Sequence, residues 1–491
     1  MRNLQSEIFS EMNQSRKNLL NSFSRNTSNI VFKECSGKCI SYSDILELGE
    51  GDSFKFTERK LVLCMVDNTI GGLSGYLGLL VSNAIPLMVS PSISAKALGA
   101  LMMAYRPSYA WLPESKKNDF ERSKCLMSFH GHCLIYFGDH DLKINSSLAL
   151  MLSTSGSTGS SKYVRLSHKN VFSNANSIAQ YLGLNSAEIP ITILPPSYSY
   201  GLSVIHSHII LGATIAVTQK TFFDREFWNF LRAAGVSSMS GVPYHYEILK
   251  KLRFFKMQTP GLKTLTQAGG RMDIDLAKEF ALHCANHGAK FFTMYGQTEA
   301  TARISYLQPQ KAIDKTGSVG MAIPGSDLWL EDSSGQVIYG ENIIGELICE
   351  GPHVSMGYAE SHEDLSRGDD RKGVLRTGDL AQRDADGDFY IVGRLARFVK
   401  LFGYRVNLLD IENFLYVAGY IVACAGRDDR LEIYIQDPKD GQAVKIKLKI
   451  MEYLKIASTG VAVFGVTSLP RNSAYKICYA DLTPEIGELL A

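Results

Sequence analysis

Between Ser153 and Lys162 the chain reads STSGSTGSSK. Gly156 and Gly159 let the backbone turn tightly, so successive N–H groups can point at one anion. Thr154, Ser155, Ser157 and Thr158 add hydroxyls, and Lys162 adds a point charge. That chemistry suits phosphate oxygens. A Walker A loop fails here, because Ser161 precedes Lys162 and Tyr163 follows it. A second stretch, Tyr295-Gly296-Gln297-Thr298-Glu299, offers an aromatic ring to cover a purine and a close turn at the glycine. Its Thr and Glu can serve phosphate and Mg²⁺, an ion that needs only one or two carboxylates beside a nucleotide. A third pairs Thr377-Gly378-Asp379 with Gly393-Arg394; the carboxylate can accept ribose hydroxyls and the guanidinium can donate to ribose or phosphate. The fourth is Lys476 in PRNSAYK, a residue that on its own reads as a solvated lysine.

The elements that must hold these groups are legible as apolar runs of strand length alternating with longer amphipathic stretches. LVLCMV, AIPLMVS, LALMLS, ATIAVTQ, SSMSGVP and AKFFTMYG read as strands, and GYLGLLVSN as a buried helix. Strands spaced by helix-length segments predict parallel α/β units. After residue 316 the texture changes to short strands with Gly/Asp turns, and DADGD at 384–388 predicts a hairpin. Beyond Gly403 a small α+β unit follows, with helices in NLLDIENFLYVAG and VKIKLKIMEYLKIA and strands in IVACAG, LEIYIQ and GVAVFGV. The fold class expected is therefore α/β: a large N-terminal domain of packed α/β and β subdomains, residues 1–395, and a small mobile α+β C-terminal domain, residues 396–491.

Composition narrows the class of function. With 51 Lys+Arg against 49 Asp+Glu the net charge is +2, without the basic excess of a nucleic-acid binder. Nine scattered cysteines read as reduced thiols in the cytoplasm. Cys35 and Cys39 have no second pair at zinc spacing, and His206 and His208, on one apolar stretch, read as packed residues rather than ligands. The N-terminal stretch lacks an apolar signal core, and the uncharged run from Asp67 to Lys96 is broken by polar and proline residues, so no membrane span is expected.

Taken in order, these motifs resemble the adenylate-forming superfamily of acyl- and aryl-CoA synthetases, stand-alone adenylation enzymes and luciferases. STSGSTGSSK is similar to its phosphate loop, YGQTE to YGxTE, and LRTGDLAQRDADGDFYIVGR to its TGD…GR stretch. AGG at 268–270, KLFGYRVNLLDIE and PRNSAYK match further family segments. The resemblance implies activation of a carboxylic acid with Mg·ATP to an acyl-adenylate and pyrophosphate, then transfer to a thiol. It implies that 154–162 hold the β- and γ-phosphates, Thr298 phosphate and Glu299 Mg²⁺. Gly269, Gly270 and Tyr295 would frame adenine beside Arg271, Gly296 and Gln297; Asp379 and Arg394 would hold the ribose. Lys476, on the C-terminal lid, would bridge the substrate carboxylate and the α-phosphate. Tyr198, Ser199, Gly201, Ala268, Met294, Ala302 and Arg303 would line the acyl pocket.

Four departures matter. Ala396 stands where the family hinge has Asp, and Tyr475 replaces the Gly before the lysine. Gly201 occupies the position of an Asp that pairs with α-ammonium groups in amino-acid-activating relatives, which argues against an ordinary α-amino acid. Arg303 falls where relatives have small or apolar residues; it either meets a polar or anionic group on the substrate or faces an internal carboxylate or solvent. The leading expectation is an acyl- or aryl-CoA ligase, with CoA drawn to a basic surface at Arg397, Lys400 and Arg405. The alternative is an adenylation enzyme loading the phosphopantetheine of a carrier protein in trans, docking on Phe398, Leu401 and Phe402. A non-catalytic nucleotide-binding regulator is the rival of a different class; a luciferase-like oxidation is not demanded by any residue.

Overall fold

The strand Leu61–Met65 is buried along its whole length, as the apolar run LVLCM requires of a strand covered on both faces. It opens an α/β framework in the computed structural model, which describes residues 17–491 except 19, 57, 121–122, 155–161, 396, 403, 428, 457 and 473–474. Thr69 caps the following helix, Ile70–Val81, by accepting from the Gly72 N–H, and every residue of that helix is buried. The chain then returns as Ile85–Val89, parallel to Leu61–Met65.

The chain packs as two compact units: residues 1–327 with 349–375, and residues 328–348 with 376–491. Packing therefore divides the chain at 375/376, upstream of residue 395, and assigns 328–348 to the second unit. The first unit contains two large sheets. An eight-stranded sheet runs in the order Tyr358–Ala359, Tyr163–Ser167, Leu148–Ser153, Ile85–Val89, Leu61–Met65, Tyr109–Pro113, His132–Tyr136, Lys124–Phe129. A nine-stranded sheet has a parallel centre in which Lys290–Tyr295, Thr264–Gln267, Ser238–Gly241, Pro190–Ile191, Ile215–Val217 and Ile30–Glu34 are successive neighbours. The strands predicted from ATIAVTQ, SSMSGVP and AKFFTMYG all lie in it.

The second unit contains a five-stranded sheet and a small α+β region. The DADGD turn joins Val374–Arg383 to Phe389–Arg394 as an antiparallel hairpin. Helices Leu408–Val417 and Gln442–Leu454 accompany strands Val422–Arg427, Arg430–Gln436, Val461–Val466 and Glu488–Leu489. No helix among the described residues is long and apolar enough to cross a membrane, and all nine cysteines are free. His206 and His208 are buried: His206 Nε2 lies 2.7 Å from the Tyr76 hydroxyl, and His208 Nδ1 lies 2.7 Å from the Val204 carbonyl.

Candidate active site

In the first unit the Ser/Gly-rich segment joins two antiparallel strands: Ser153 is paired with Tyr163, so residues 154–162 form the connection. Residues 155–161 lie outside the described residues. Lys162, at the far end, places Nζ 3.8 Å from the centroid of the Tyr358 ring, a cation–π contact. Tyr358 is on the neighbouring strand, opposite Val164. Its hydroxyl donates to Glu299 Oε1 at 2.8 Å. Burial and the adjacent Glu299 carboxylate push that hydroxyl up to about 12, so it stays protonated and remains a donor at neutral pH.

Glu299 follows the strand Lys290–Tyr295 in a single 3₁₀ turn, Thr298–Ala300. Gly296 makes that turn possible, because a Cβ there would fall 1.8 Å from the Ala302 carbonyl oxygen. Thr301 closes the turn in a left-handed conformation, φ 65°, and its hydroxyl donates to the His353 carbonyl at 2.6 Å. Ser355 N–H donates to the Glu299 carbonyl at 2.9 Å. The buried Thr298 hydroxyl sits 3.1 Å from that of Ser199, at the start of the helix Ser199–Ile209. Gln297 Nε2 donates to the Tyr295 hydroxyl at 3.2 Å.

Two residues that sequence reasoning missed hold this arrangement. Tyr358 is one. The other is Arg165, a fully buried arginine in the strand Tyr163–Ser167. Its guanidinium donates to four carbonyls, of Met356, Tyr358, Arg367 and Gly368, and to Asp370 Oδ2 at 2.6 Å. Arg165 thereby fastens the segment 356–370 against its own strand and fixes where Tyr358 meets Glu299. A charge inside the apolar run YVRLS was the available signal, since arginine is almost never fully buried without partners.

Glu299 fits a magnesium ion. One carboxylate oxygen is engaged by Tyr358, and none of the described residues is recorded as hydrogen-bonded to the other. That leaves a hard oxygen donor of the kind that supplements nucleotide phosphates and water around Mg²⁺.

The turn after the strand Thr264–Gln267 carries Ala268, Gly269, Gly270 and Arg271. Gln267, itself buried, donates from Nε2 to the Gly270 carbonyl at 2.8 Å and sets the turn's shape; Ala268 is buried, and Gly270 and Arg271 are exposed. Ala268, Met294 and Tyr200 join one apolar cluster with Leu194, Val242 and Phe292, and Tyr198 packs against it. Ala302 is buried as well. Gly201 is dictated by space: a Cβ would lie 2.5 Å from the Pro195 carbonyl oxygen.

Arg303 is 2% exposed. Its guanidinium carbon lies 3.9 Å from the centroid of the Tyr200 ring, and Nε is 3.4 Å from Met294 Sδ. The Tyr181 hydroxyl donates to the same sulfur at 2.9 Å, and the Arg303 charge opposes the upward push of burial on that hydroxyl. No ion pair is recorded between Arg303 and a carboxylate among the described residues. The expected internal carboxylate is therefore absent from them, and the side chain does not face solvent.

In the second unit, Asp379 and Arg394 are cross-strand neighbours, joined by a 2.7 Å ion pair from Arg394 Nε to Asp379 Oδ1. Asp379 is buried while Arg394 is 59% exposed, so the pair has a fixed carboxylate and an accessible guanidinium. Lys476 is half-buried; its N–H donates to Asn472 Oδ1 at 3.0 Å, and its carbonyl accepts from the Asn472 N–H at 2.9 Å. Tyr475 is left-handed, φ 59°, which gives a physical reason for glycine at this position in the motif. Ala396 lies outside the described residues.

Two surface expectations need correction. Arg397 is not a free basic residue: it makes a bidentate pair with Glu412, at 2.8 and 3.1 Å, and lies over the Tyr479 ring. Leu401 is fully buried and cannot contribute to a docking patch, whereas Lys400 and Phe402 are exposed. The side chains of Phe398 and Arg405 lie outside the described residues.

The chain is 29% identical over 294 residues to luciferin 4-monooxygenase from Photuris pensylvanica, covering 58% of this chain and 52% of that one. It is 30% identical over 280 residues to a D-alanine–D-alanyl carrier protein ligase from Lacticaseibacillus rhamnosus, covering 55% and 54%. It thus spans about half the length of these curated relatives. The fold matches an O-succinylbenzoate coenzyme A synthetase from Bacillus subtilis, solved in complex with AMP, with a TM-score of 0.77. That match covers 96% of this chain and 99% of the other at 19% identity. The model of the AMP-binding enzyme family matches residues 54–359, which include the Ser/Gly-rich connection, the Thr298–Glu299 turn and Tyr358, and the chain belongs to that family.

Proposed function

We propose that the chain activates a carboxylic acid with ATP. A carboxylate oxygen of the acid attacks the α-phosphorus. The bond from that phosphorus to the α–β bridging oxygen breaks, and pyrophosphate leaves with the electron pair as the acyl-adenylate forms. The observation that carries this reading is the cluster Lys162, Tyr358, Glu299, Thr298 and Ser199. It gathers an ammonium, a carboxylate and three hydroxyls from distant segments and contains no Ser–His or Cys–His pair. Such a site positions reactants and neutralises phosphate charge, which is what attack on phosphorus demands.

In this reading residues 154–162 and Thr298 hold the phosphates, and Glu299 holds Mg²⁺, which would supply further charge neutralisation. Gly269, Gly270 and Tyr295 frame adenine, and Asp379 and Arg394 take the ribose hydroxyls. Lys476 bridges the reacting carboxylate and the α-phosphate. The segment from about 396 onward acts as the mobile lid. The acyl group then passes to a thiol, of CoA or of a carrier protein in trans, and the pairing of Arg397 with Glu412 leaves Lys400 as the described cation for CoA. Nine free thiols suit a cytoplasmic setting.

The test is acid-dependent pyrophosphate release with Mg·ATP over a broad panel of carboxylic acids, run beside Lys476→Ala and Glu299→Gln. Release that depends on the acid and falls at least 100-fold in both variants is expected. ATP binding without release for any acid would favour the non-catalytic regulator.

A further inference from the structure

Arg303 is a buried cation whose surroundings do not balance it. A guanidinium carries five N–H donors and keeps its charge in proteins, so removing it from water calls for an anion or for several carbonyl acceptors. The recorded neighbours of this one are the Tyr200 ring, the Met294 sulfur and the Tyr181 hydroxyl. Asn174, 1% exposed, donates to the Arg303 carbonyl at 3.1 Å and leaves its own Oδ1 with no hydrogen-bond partner, so a second polar atom beside Arg303 is unmet.

The position points to the acid rather than to the nucleotide. Ser199 and Tyr200 are successive residues of one helix and therefore project on different sides. Ser199 turns to Thr298, and Tyr200 turns to Arg303. Arg303 thus lies among Met294, Tyr200 and the apolar cluster, rather than against Thr298, assigned to phosphate, or Glu299, assigned to Mg²⁺.

We propose that the acid activated here carries a second anionic group, in the simplest case a second carboxylate, and that Arg303 is its counter-ion. The inference rests on the adenylation reading and names its substrate class: dicarboxylic acids, with the reacting carboxylate at one end and the second held by Arg303. An acid lacking that group would leave the guanidinium unpaired, which is how a site rejects an analogue missing one polar function.

The experiment uses linear and aromatic dicarboxylic acids, each beside its monomethyl ester, with wild type, Arg303→Met and Arg303→Lys. Pyrophosphate release should favour the free diacid over its ester by about 100-fold in kcat/KM in the wild type, as expected of a charge-assisted contact. Arg303→Met should abolish the preference, and Arg303→Lys should retain part of it. Equal use of diacid and ester by the wild type, or an unchanged preference in Arg303→Met, overturns the proposal. If no acid releases pyrophosphate from the wild type, the adenylation reading fails for that panel and thermal unfolding still decides Arg303. Diacids should raise the wild-type Tm and leave that of Arg303→Met unmoved. The ligand-free Arg303→Met protein should be as stable as wild type or more so; a marked loss of Tm would make Arg303 structural and overturn the proposal.

Discussion

Arg165 and Arg303 are both buried in the first unit, and they are solvated differently. Arg165 exchanges water for four carbonyls and the Asp370 carboxylate, and so becomes part of the scaffold. Arg303 exchanges water for a ring, a sulfur and a hydroxyl. A cation–π contact is worth about 2 kcal/mol when desolvated, while removing a guanidinium from water costs several. One arginine is completed by the fold, and the other awaits completion. Burial alone therefore does not separate a structural cation from a binding one; the inventory of acceptors does.

The sharpest way to break this contrast is to remove Arg165. Arg165→Met removes the guanidinium from the Tyr358, Arg367 and Gly368 carbonyls, leaves the Met356 carbonyl to the Asp370 N–H and Asp370 to Arg367, and should cost about 3–5 kcal/mol in denaturant unfolding. A loss below about 1 kcal/mol would put Arg165 in the same class as Arg303. The next effect is one of pH, just before the segment that Arg165 fastens, at the residue whose carbonyl accepts from Thr301. Burial lowers the His353 pKa to about 4. The unfolded chain therefore binds this proton more readily: the stability contribution is complete above about pH 6.5 and falls as the pH drops toward 4. That loss is on the order of 3 kcal/mol, and His353→Gln should flatten this part of the Tm–pH profile. An unchanged profile would mean that another group governs acid unfolding.

Tyr358→Phe keeps the ring under Lys162 and removes the donor to Glu299. Acid-dependent pyrophosphate release should fall about tenfold, or 1.4 kcal/mol, with a raised requirement for Mg²⁺. Because burial raises the Tyr358 pKa from 10 to about 12, its stability contribution is complete below pH 10 and is lost between about 10 and 12. The phenylalanine variant should lack that alkaline step. The smallest effect is expected at Tyr475→Gly. Relief of the left-handed tyrosine offsets glycine's extra entropy, so stability should move by less than about 1 kcal/mol. A larger loss would assign the exposed Tyr475 ring a packing role.

The strands and their parallel order were legible because runs such as LVLCM and KFFTMY are too apolar and too short for anything but covered strands. The Asp379–Arg394 pair was legible as two motifs, and the DADGD turn explains why residues fifteen apart face each other. What was not legible depends on distant contacts. Tyr358 meets Glu299, 59 residues away, and Arg165 meets Asp370, 205 residues away; neither lies in a local pattern. Arg397 misled for a related reason. Its spacing to Glu412 resembles that of two surface charges until the intervening strands fold them onto Tyr479.

The central claim is that a carboxylate oxygen attacks the α-phosphorus of ATP, and oxygen tracing tests it most directly. An acid accepted by the enzyme, labelled with ¹⁸O in its carboxylate, is carried through to the thioester with Mg·ATP and a thiol acceptor. The AMP released should contain one ¹⁸O in its phosphate, because the bridging oxygen of the adenylate leaves with AMP when the thiol attacks the acyl carbon. Label in inorganic phosphate with ADP formed, or unlabelled AMP, would contradict the account.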